Sequence, residues 1–374
     1  MIFVVNAGSS SLKVALFDGA ALCASGAVTE IGASAALTLG AATRPVSAPD
    51  HEAALALLIA AFADAGFPFE GVTAAGHRVV HGGRRLMGTV RITPAALAEI
   101  EAAVPLAPLH NPHNLSAIRA LARLAPDLPQ VACFDTAFHA TNPEVALRFA
   151  LPASEEARGL RRYGFHGISY ESLAGRLPGI LGRLPERVLA LHLGNGASLC
   201  AIAGGRSVAT TMGYSPLDGL TMGSRTGAID GNAVLRLAEI HGIDGAARIL
   251  NRESGLKGLG GQSDMRALRA AGTPEAAFAI AHFAYWAVRH AGSMIAAMGG
   301  LDCLAFTGGI GEHDQAMRAE ICAGLAYMGV RLDDAANRAD RPRLEAGGPP
   351  VLIVPAEEEA HIARATAGML GLGT

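Results

Sequence analysis

Two stretches of the chain, Val4 to Val28 and Leu189 to Thr210, repeat one plan: an apolar strand, a tight polar turn, a second strand, a glycine break and a third strand. Such an internal duplication predicts two similar α/β lobes. The first turn reads Asn6-Ala7-Gly8-Ser9-Ser10-Ser11 and the second Gly194-Asn195-Gly196-Ala197-Ser198. Each offers small residues whose backbone N–H groups and hydroxyls can face a phosphate. Two such hairpins in one chain predict a nucleotide gripped from both sides of a cleft.

With 374 residues, 51% of them hydrophobic and 17% charged, the chain has enough apolar material for two buried cores. A formal charge of −3 without a basic run argues against nucleic acid as a partner, since a polyanion needs clustered Lys and Arg. Small molecules are the expected partners. Cys23, Cys133, Cys200, Cys303 and Cys322 lie in apolar segments without C-x-x-C spacing, which reads as free thiols in a reducing compartment. The short apolar run Ile2 to Val5 has no basic leader, and the apolar stretches 53–65 and 276–298 are too short or too charged to span a bilayer. The cytoplasm is therefore the expected location, with no membrane partner.

Lys13 and Lys257 are the only lysines among 30 basic residues. Lys13 follows the first serine-rich turn, where a compact ammonium suits a phosphate; a surface lysine is the competing reading.

Alternation over 2–5 and 12–17 predicts an opening hairpin, with Leu12, Val14 and Leu16 on one face and Lys13, Ala15 and Phe17 on the other. Helices are expected from Asp50 to about 64, from the Thr93-Pro94 cap to about 103, over 114–124, over 274–298 behind Thr273, and over 358–371. Strands are expected at 72–80, 131–134, 301–306 and 351–354. Thr307 to Glu312 reads as a glycine loop with a helix beginning at His313. The first lobe is assigned to 1–140 plus 360–374, the second, with most of the nucleotide site, to 141–359.

No Walker-type sequence occurs, and Asp314 stands where a dinucleotide fingerprint needs its third glycine. Arg78 and Arg225 both lie in glycine-rich surroundings, where two guanidinium forks could neutralise a carboxylate and a transferring phosphoryl group; structural arginines on turns are the alternative. His110 and His113 have H-x-x-H spacing, but Pro112 interrupts them and no further ligand adjoins, which weighs against zinc. His166, between Gly164-Phe165 and Gly167, reads as a donor to a transferring group or as a satisfied structural histidine. Asp135 and the cluster Glu357-Glu358-Glu359 could hold a divalent ion together with phosphates, or merely offset a helix dipole.

Taken in order, Asn6 to Lys13, Gly76 to Gly83, Pro108 to Pro112, Phe134 to His139, Tyr163 to Gly167, His192 to Gly196, Pro216-Leu217, Met222-Gly223 and Thr307 to Glu312 closely resemble the acetate kinase family, of the superfamily that includes sugar kinases, actin and heat-shock chaperone ATPases. The resemblance runs essentially end to end. It implies a duplicated actin-like, ribonuclease H-like fold and reversible transfer of the ATP γ-phosphoryl to acetate, giving acetyl phosphate and ADP, with Mg²⁺ or Mn²⁺ required. Carried over, Arg78 and Arg225 would hold carboxylate and phosphoryl group, with His166 donating to the latter. His110 and Asn195 would position phosphates, and Asn6, Asp135 and Glu358 would organise the metal. Ser9, Ser11, Lys13 and His192-Leu193-Gly194-Asn195-Gly196 would line the phosphates, and Gly308, Gly309, Ile310 and Gly311 the nucleotide. Val80, Leu109, Phe165 and Pro216 would form a slot for the methyl group, and the chain would be a homodimer.

Acetate is already an anionic nucleophile, so alignment and charge neutralisation suffice, and direct in-line transfer is expected rather than a phospho-enzyme. The chain departs from the family at Ala209, Ala228, Gly231, Lys257 and Tyr170. A propionate or butyrate kinase is the nearest alternative, and a nucleotide-switched binding protein the alternative of another class.

Overall fold

The computed structural model describes residues 1–372; Gly373 and Thr374, the end of the expected first lobe, lie outside the described residues. The chain divides into two compact units. The first comprises Met1–Phe138, Gly167–Ser169 and the segment from Glu357; the second comprises His139–His166 and Tyr170–Ala356.

Unit 1 is built on an eight-stranded sheet in the order β5-β4-β3-β2-β1-β6-β8-β7. Its strands are β1 (Ile2–Ala7), β2 (Ser11–Asp18), β3 (Ala21–Thr29), β4 (Ala36–Leu39), β5 (Ala42–Pro45), β6 (Ala74–Val79), β7 (Val90–Arg91) and β8 (Gln130–Phe134). Unit 2 holds a five-stranded sheet, β11-β10-β9-β12-β13, formed by β9 (Arg187–Leu193), β10 (Ala197–Ala203), β11 (Arg206–Thr210), β12 (Cys303–Thr307) and β13 (Val351–Ile353). In both, a strand pairs antiparallel with the next one, that one with the third, and two later strands add in parallel on the other side of the first. The order 3-2-1-6-8 of the first sheet is thus the order 11-10-9-12-13 of the second, and the duplication read from the sequence is a duplication of topology.

Strand alternation decides which helix packs where. Phe3, Val5, Leu12, Val14 and Leu16 are buried with Leu55, Leu58 and Phe62 of helix His51–Asp64 and Leu121 of helix Asn111–Leu124. Ile2, Val4, Ala15 and Phe17 face the other way, onto Ile362 and Ala363 of the last helix, Glu358–Leu370. That helix lies so close on β6 that a Cβ at Gly76 would stand 2.3 Å from Thr366 Oγ1 and 2.7 Å from Ile362. In unit 2 the long helix Pro274–Met298 covers β10 and starts as its sequence dictates, with Thr273 Oγ1 accepting the Ala276 N–H at 3.2 Å and Pro274 in the first turn.

Two local expectations change. Helix Asn111–Leu124 begins three residues earlier than the apolar pattern suggested, because Pro112 in a first turn forfeits no helical hydrogen bond. Gly308–His313 is a short helix rather than a loop: the Gly308 N–H donates to Glu312 Oε1 at 3.0 Å, so the carboxylate satisfies an N-terminal donor that glycines alone would leave open.

Candidate active site

In unit 1 the parallel strands β1, β6 and β8 end side by side, and their carboxyl ends carry Asn6, Arg78 and Asp135. Arg78 donates from Nε to Asp135 Oδ1 at 3.2 Å and from Nη2 to Oδ2 at 2.6 Å, a two-pronged pair, and from Nη1 to Asn6 Oδ1 at 3.3 Å. Glu358 Oε2, in the first turn of the last helix, stands 3.9 Å from Arg78 Nε. Burial works against the Arg78 charge, but Asp135 and Glu358 more than offset it and hold the guanidinium more firmly protonated than usual. Glu358 moves the other way: burial first, opposed by Arg78 but reinforced by the like charges of Asp135 and Glu359, pushes its carboxyl up to about 7. Two crowded carboxylates and an amide oxygen form a hard-oxygen donor set short of positive charge, which fits a small divalent cation.

Lys13, exposed on β2, is in register with Asn6. Ser9 is exposed, Ser11 half-buried, and the Ser11 carbonyl accepts the Gly8 N–H at 2.8 Å. The Gly8 carbonyl meets His51 Nε2 at 2.7 Å, and the His51 ring stacks on His113, so the second member of the H-x-x-H pair packs under the phosphate-type turn. Among the described residues no three His, Cys, Asp or Glu side chains form a metal cluster. His110 occupies the cap position of its helix, Val80 is buried, and Leu109 is half exposed. Asn114 and Asn111, which sequence reasoning did not single out, fix the segment after Arg78: Asn114 Oδ1 accepts the Val80 N–H and Asn111 Oδ1 the His81 N–H, both at 3.1 Å.

In unit 2 the turn from β9 to β10 is the centre. A Cβ at Gly196 would lie 3.2 Å from His166 Nε2 and 3.4 Å from Arg225 Nη2, so both nitrogens reach over this one bare residue. The His166 ring stacks on His192 with centroids 4.1 Å apart. His166 itself sits at φ 59°, ψ 21°, a left-handed conformation that a non-glycine residue seldom holds without support. Its Nδ1 is 2.8 Å from Ser198 Oγ, which is 2.6 Å from the Tyr170 hydroxyl. Burial and the neighbouring Cys200 keep the phenol protonated, and its oxygen also meets the His192 backbone. A buried hydroxyl proton needs an acceptor, so Tyr170 donates to Ser198 and Ser198 to His166 Nδ1. The imidazole proton is thereby assigned to Nε2, the nitrogen above Gly196. Ser198 lies inside the duplicated turn, and only the fold reveals its link to His166.

Arg225 Nη1 donates to the Pro216 carbonyl at 2.7 Å, and burial lowers its pKa from the usual value. It has no carboxylate partner among the described residues. Asn195 is exposed; its backbone carbonyl accepts the Gly223 N–H at 3.0 Å, and a Cβ at Gly223 would fall 2.0 Å from its Oδ1, which joins the Gly194-Asn195-Gly196 turn to the Arg225 loop. Gly308, at φ 76°, passes so close beneath Leu193 that a Cβ would stand 2.8 Å from its carbonyl oxygen. Gly309 is exposed, Ile310 half-buried and Gly311 buried; Phe165 is buried and Pro216 half-buried.

The sequence profile of the Acetokinase family matches residues 1–364. The chain belongs to the acetokinase family. Among similar acetokinases, one from Rhodopseudomonas palustris named acetate kinase is 46% identical over 388 residues, covering 97% of each chain. The crystal structure of Porphyromonas gingivalis acetate kinase superposes with a TM-score of 0.93 at 35% identity over 99% of both chains. That of a propionate kinase from Francisella tularensis gives 0.94 at 33%, covering 98% of this chain and 99% of the other. The acetokinase frame of two actin-like lobes is therefore the frame of this chain.

Proposed function

We propose that this chain transfers the γ-phosphoryl group of ATP reversibly to acetate: a carboxylate oxygen attacks phosphorus in line, the bond to the ADP oxygen breaks, and acetyl phosphate and ADP leave. The observation that carries this reading is the meeting of His166 Nε2 and Arg225 Nη2 over Gly196. A protonated imidazole nitrogen and an unneutralised guanidinium side by side can hydrogen-bond the equatorial oxygens on which charge spreads in phosphoryl transfer. Arg78 serves the same reaction from the first lobe, 1–140 plus 360–374, beside the carboxylate substrate, with Val80, Leu109, Phe165 and Pro216 around its methyl group. His110 and Asn195 position phosphates; Ser9, Ser11, Lys13 and His192 to Gly196 line them, and Gly308 to Gly311 lie along the nucleotide.

Asn6, Asp135 and Glu358 would hold Mg²⁺, which supplies charge neutralisation at the phosphates when bound. No general base is required, since acetate arrives ionised. Exposed Leu235, Ile240 and Ile243 of helix Gly231–Arg248, with Phe278 and Tyr285 of helix Pro274–Met298, support a homodimer. No helix among the described residues is long and apolar enough to cross a membrane; a cytoplasmic location accords with five free cysteines.

Trapping the acyl phosphate with hydroxylamine, in the presence of ATP, Mg²⁺ and one short acid at a time, tests the reading. Acetate is expected to give the highest kcat/KM. Propionate follows, because a methylene changes binding by only about 1–3 kcal/mol. The likeness to the Francisella propionate kinase favours this as the second reading, and a reversed order would establish it; no acyl hydroxamate with any acid overturns both.

A further inference from the structure

Trp286, the one tryptophan of the chain, lies within helix Pro274–Met298 and donates its indole N–H to His282 Nε2 at 3.1 Å, one turn back. His282 Nδ1 is 3.0 Å from Thr221 Oγ1. An indole nitrogen only donates, so His282 must accept at Nε2; its single proton then sits on Nδ1 and is given to the threonine hydroxyl. Burial lowers the His282 pKa, in keeping with a neutral ring.

Thr221 is buried and immediately precedes the turn that presents Arg225. The Met222 N–H donates to the Arg225 carbonyl at 3.1 Å and closes that turn. Further backbone bonds hold it, among them Gly223 N–H to Asn195 O at 3.0 Å, Leu256 N–H to Met222 O at 2.8 Å, Lys257 N–H to Gly223 O at 2.9 Å and Ser254 N–H to Ser224 O at 3.1 Å, and the Ser224 hydroxyl donates to Asn251 O at 3.2 Å. His282 thus adds a side-chain tether from the long helix to the base of the Arg225 turn.

We propose that His282, its tautomer set by Trp286, is a positioning residue for the Arg225 guanidinium, acting through Thr221. The role rests on the reading of Arg225 given above. The backbone bonds hold the turn as a whole, while the Thr221 tether fixes its base against the long helix; losing it lets the guanidinium shift, and a misplacement of about 1 Å can cost a hundredfold in rate.

The test compares His282→Phe, His282→Asn, Thr221→Val and Thr221→Ser with Arg225→Ala in the full chain. The asparagine amide nitrogen can stand where Nδ1 stood and donate to Thr221, whereas phenylalanine cannot. His282→Phe and Thr221→Val are each expected to lower kcat about tenfold with KM for ATP within about twofold. Their double variant is expected to be no worse than the poorer single one, and His282→Asn and Thr221→Ser to stay within about threefold of the parent. Equal losses in His282→Phe and His282→Asn, or multiplicative losses in the double variant, overturn the proposal. Should His282→Phe not fold, the threonine pair decides: equal turnover of Thr221→Val and Thr221→Ser overturns it. Near-normal turnover of Arg225→Ala would instead sink the site reading.

Discussion

The two units share a strand order and carry opposite electrostatics around their arginines. In unit 1 the arginine is matched by carboxylates: Asp135 grips Arg78 with both oxygens, Glu358 stands near, and burial, opposed by Arg78 and reinforced by Asp135 and Glu359, raises the Glu358 carboxyl to about 7. In unit 2 the arginine is half-buried against a carbonyl, and no acid among the described residues pairs with it. One frame therefore offers a place for a cation and the other a place for an anion. Duplication supplies two turn-and-strand cradles, and a few side chains around each turn decide what it can hold.

This contrast is broken most directly by removing each arginine. Both Arg225→Ala and Arg78→Ala are expected to lower kcat at least about a hundredfold while ATP still binds, because the lost contacts form chiefly in the transition state. Their effects on stability should differ in sign. Removing Arg78 leaves Asp135 facing Glu358 unpaired, and breaking such a partly buried pair costs roughly 1–3 kcal/mol after allowance for its residual exposure. Removing Arg225 deletes a charge that burial already disfavours, so its thermal midpoint should hold or rise. Calorimetry without metal or nucleotide measures this; equal destabilisation by both would erase the distinction.

The same contrast shows what a sequence carries. Asp135 was legible at the carboxyl end of a buried strand and Asn6 in the polar turn after another, but their joint grip by Arg78 was not, since it depends on three strands far apart in sequence lying side by side. His166 and Arg225 were legible as types in glycine-rich surroundings, but their meeting over Gly196 was not, since it depends on a 59-residue separation closing in space. Tyr170, Ser198 and His282 were invisible as partners: nothing local marks a buried hydroxyl as the donor to a particular ring. The Gly308 helix was missed because glycine's poor helix propensity is overridden there by the Glu312 carboxylate, a contact four residues away.

Acid should also part the units. His77 and His81 in unit 1 and His139 in unit 2 are each buried, and burial drives each pKa down from 6.5 to about 4. The unfolded chain gains these protons first, so stability is complete above about pH 6.5 and declines as pH falls toward 4. At pH 5.5 each histidine withdraws roughly 1.4 kcal/mol. His139 meets Ser207 of β11 at 2.8 Å, so native-state hydrogen exchange at pH 7 and 5.5 should show β6 losing about twice the free energy of protection that β11 loses; equal losses would contradict it.

The duplicated turns permit a matched pair of substitutions. Gly196→Ala puts a methyl against His166 Nε2 and Arg225 Nη2, and about a tenfold fall in kcat is expected from displacing both donors. Gly8→Ala meets Ser11 Oγ at 2.8 Å, the end of a side chain that can rotate, so the loss should be smaller. A larger loss in Gly8→Ala would mean that the first turn, not the second, sets the geometry of transfer.

The smallest effect expected concerns the hydroxyl relay behind His166. Tyr170→Phe keeps the ring in its buried site but removes the hydroxyl that donates to Ser198. Ser198 can still donate to His166 Nδ1, but it can now also accept from it, so the imidazole divides between tautomers and only one of them presents Nε2–H above Gly196. A loss of half the population to about four-fifths of it lowers kcat by roughly two- to fivefold, with KM for ATP unchanged because the nucleotide's own contacts are intact. As a control, Thr89→Val in unit 1 removes a hydroxyl that meets Cys133 Sγ and should leave kcat alone. Nitrogen-15 shifts of the His166 ring distinguish the tautomers directly. A Tyr170→Phe chain with reduced turnover but an undivided Nε2–H ring would show that the phenol acts by packing, and that the polar relay does not govern catalysis.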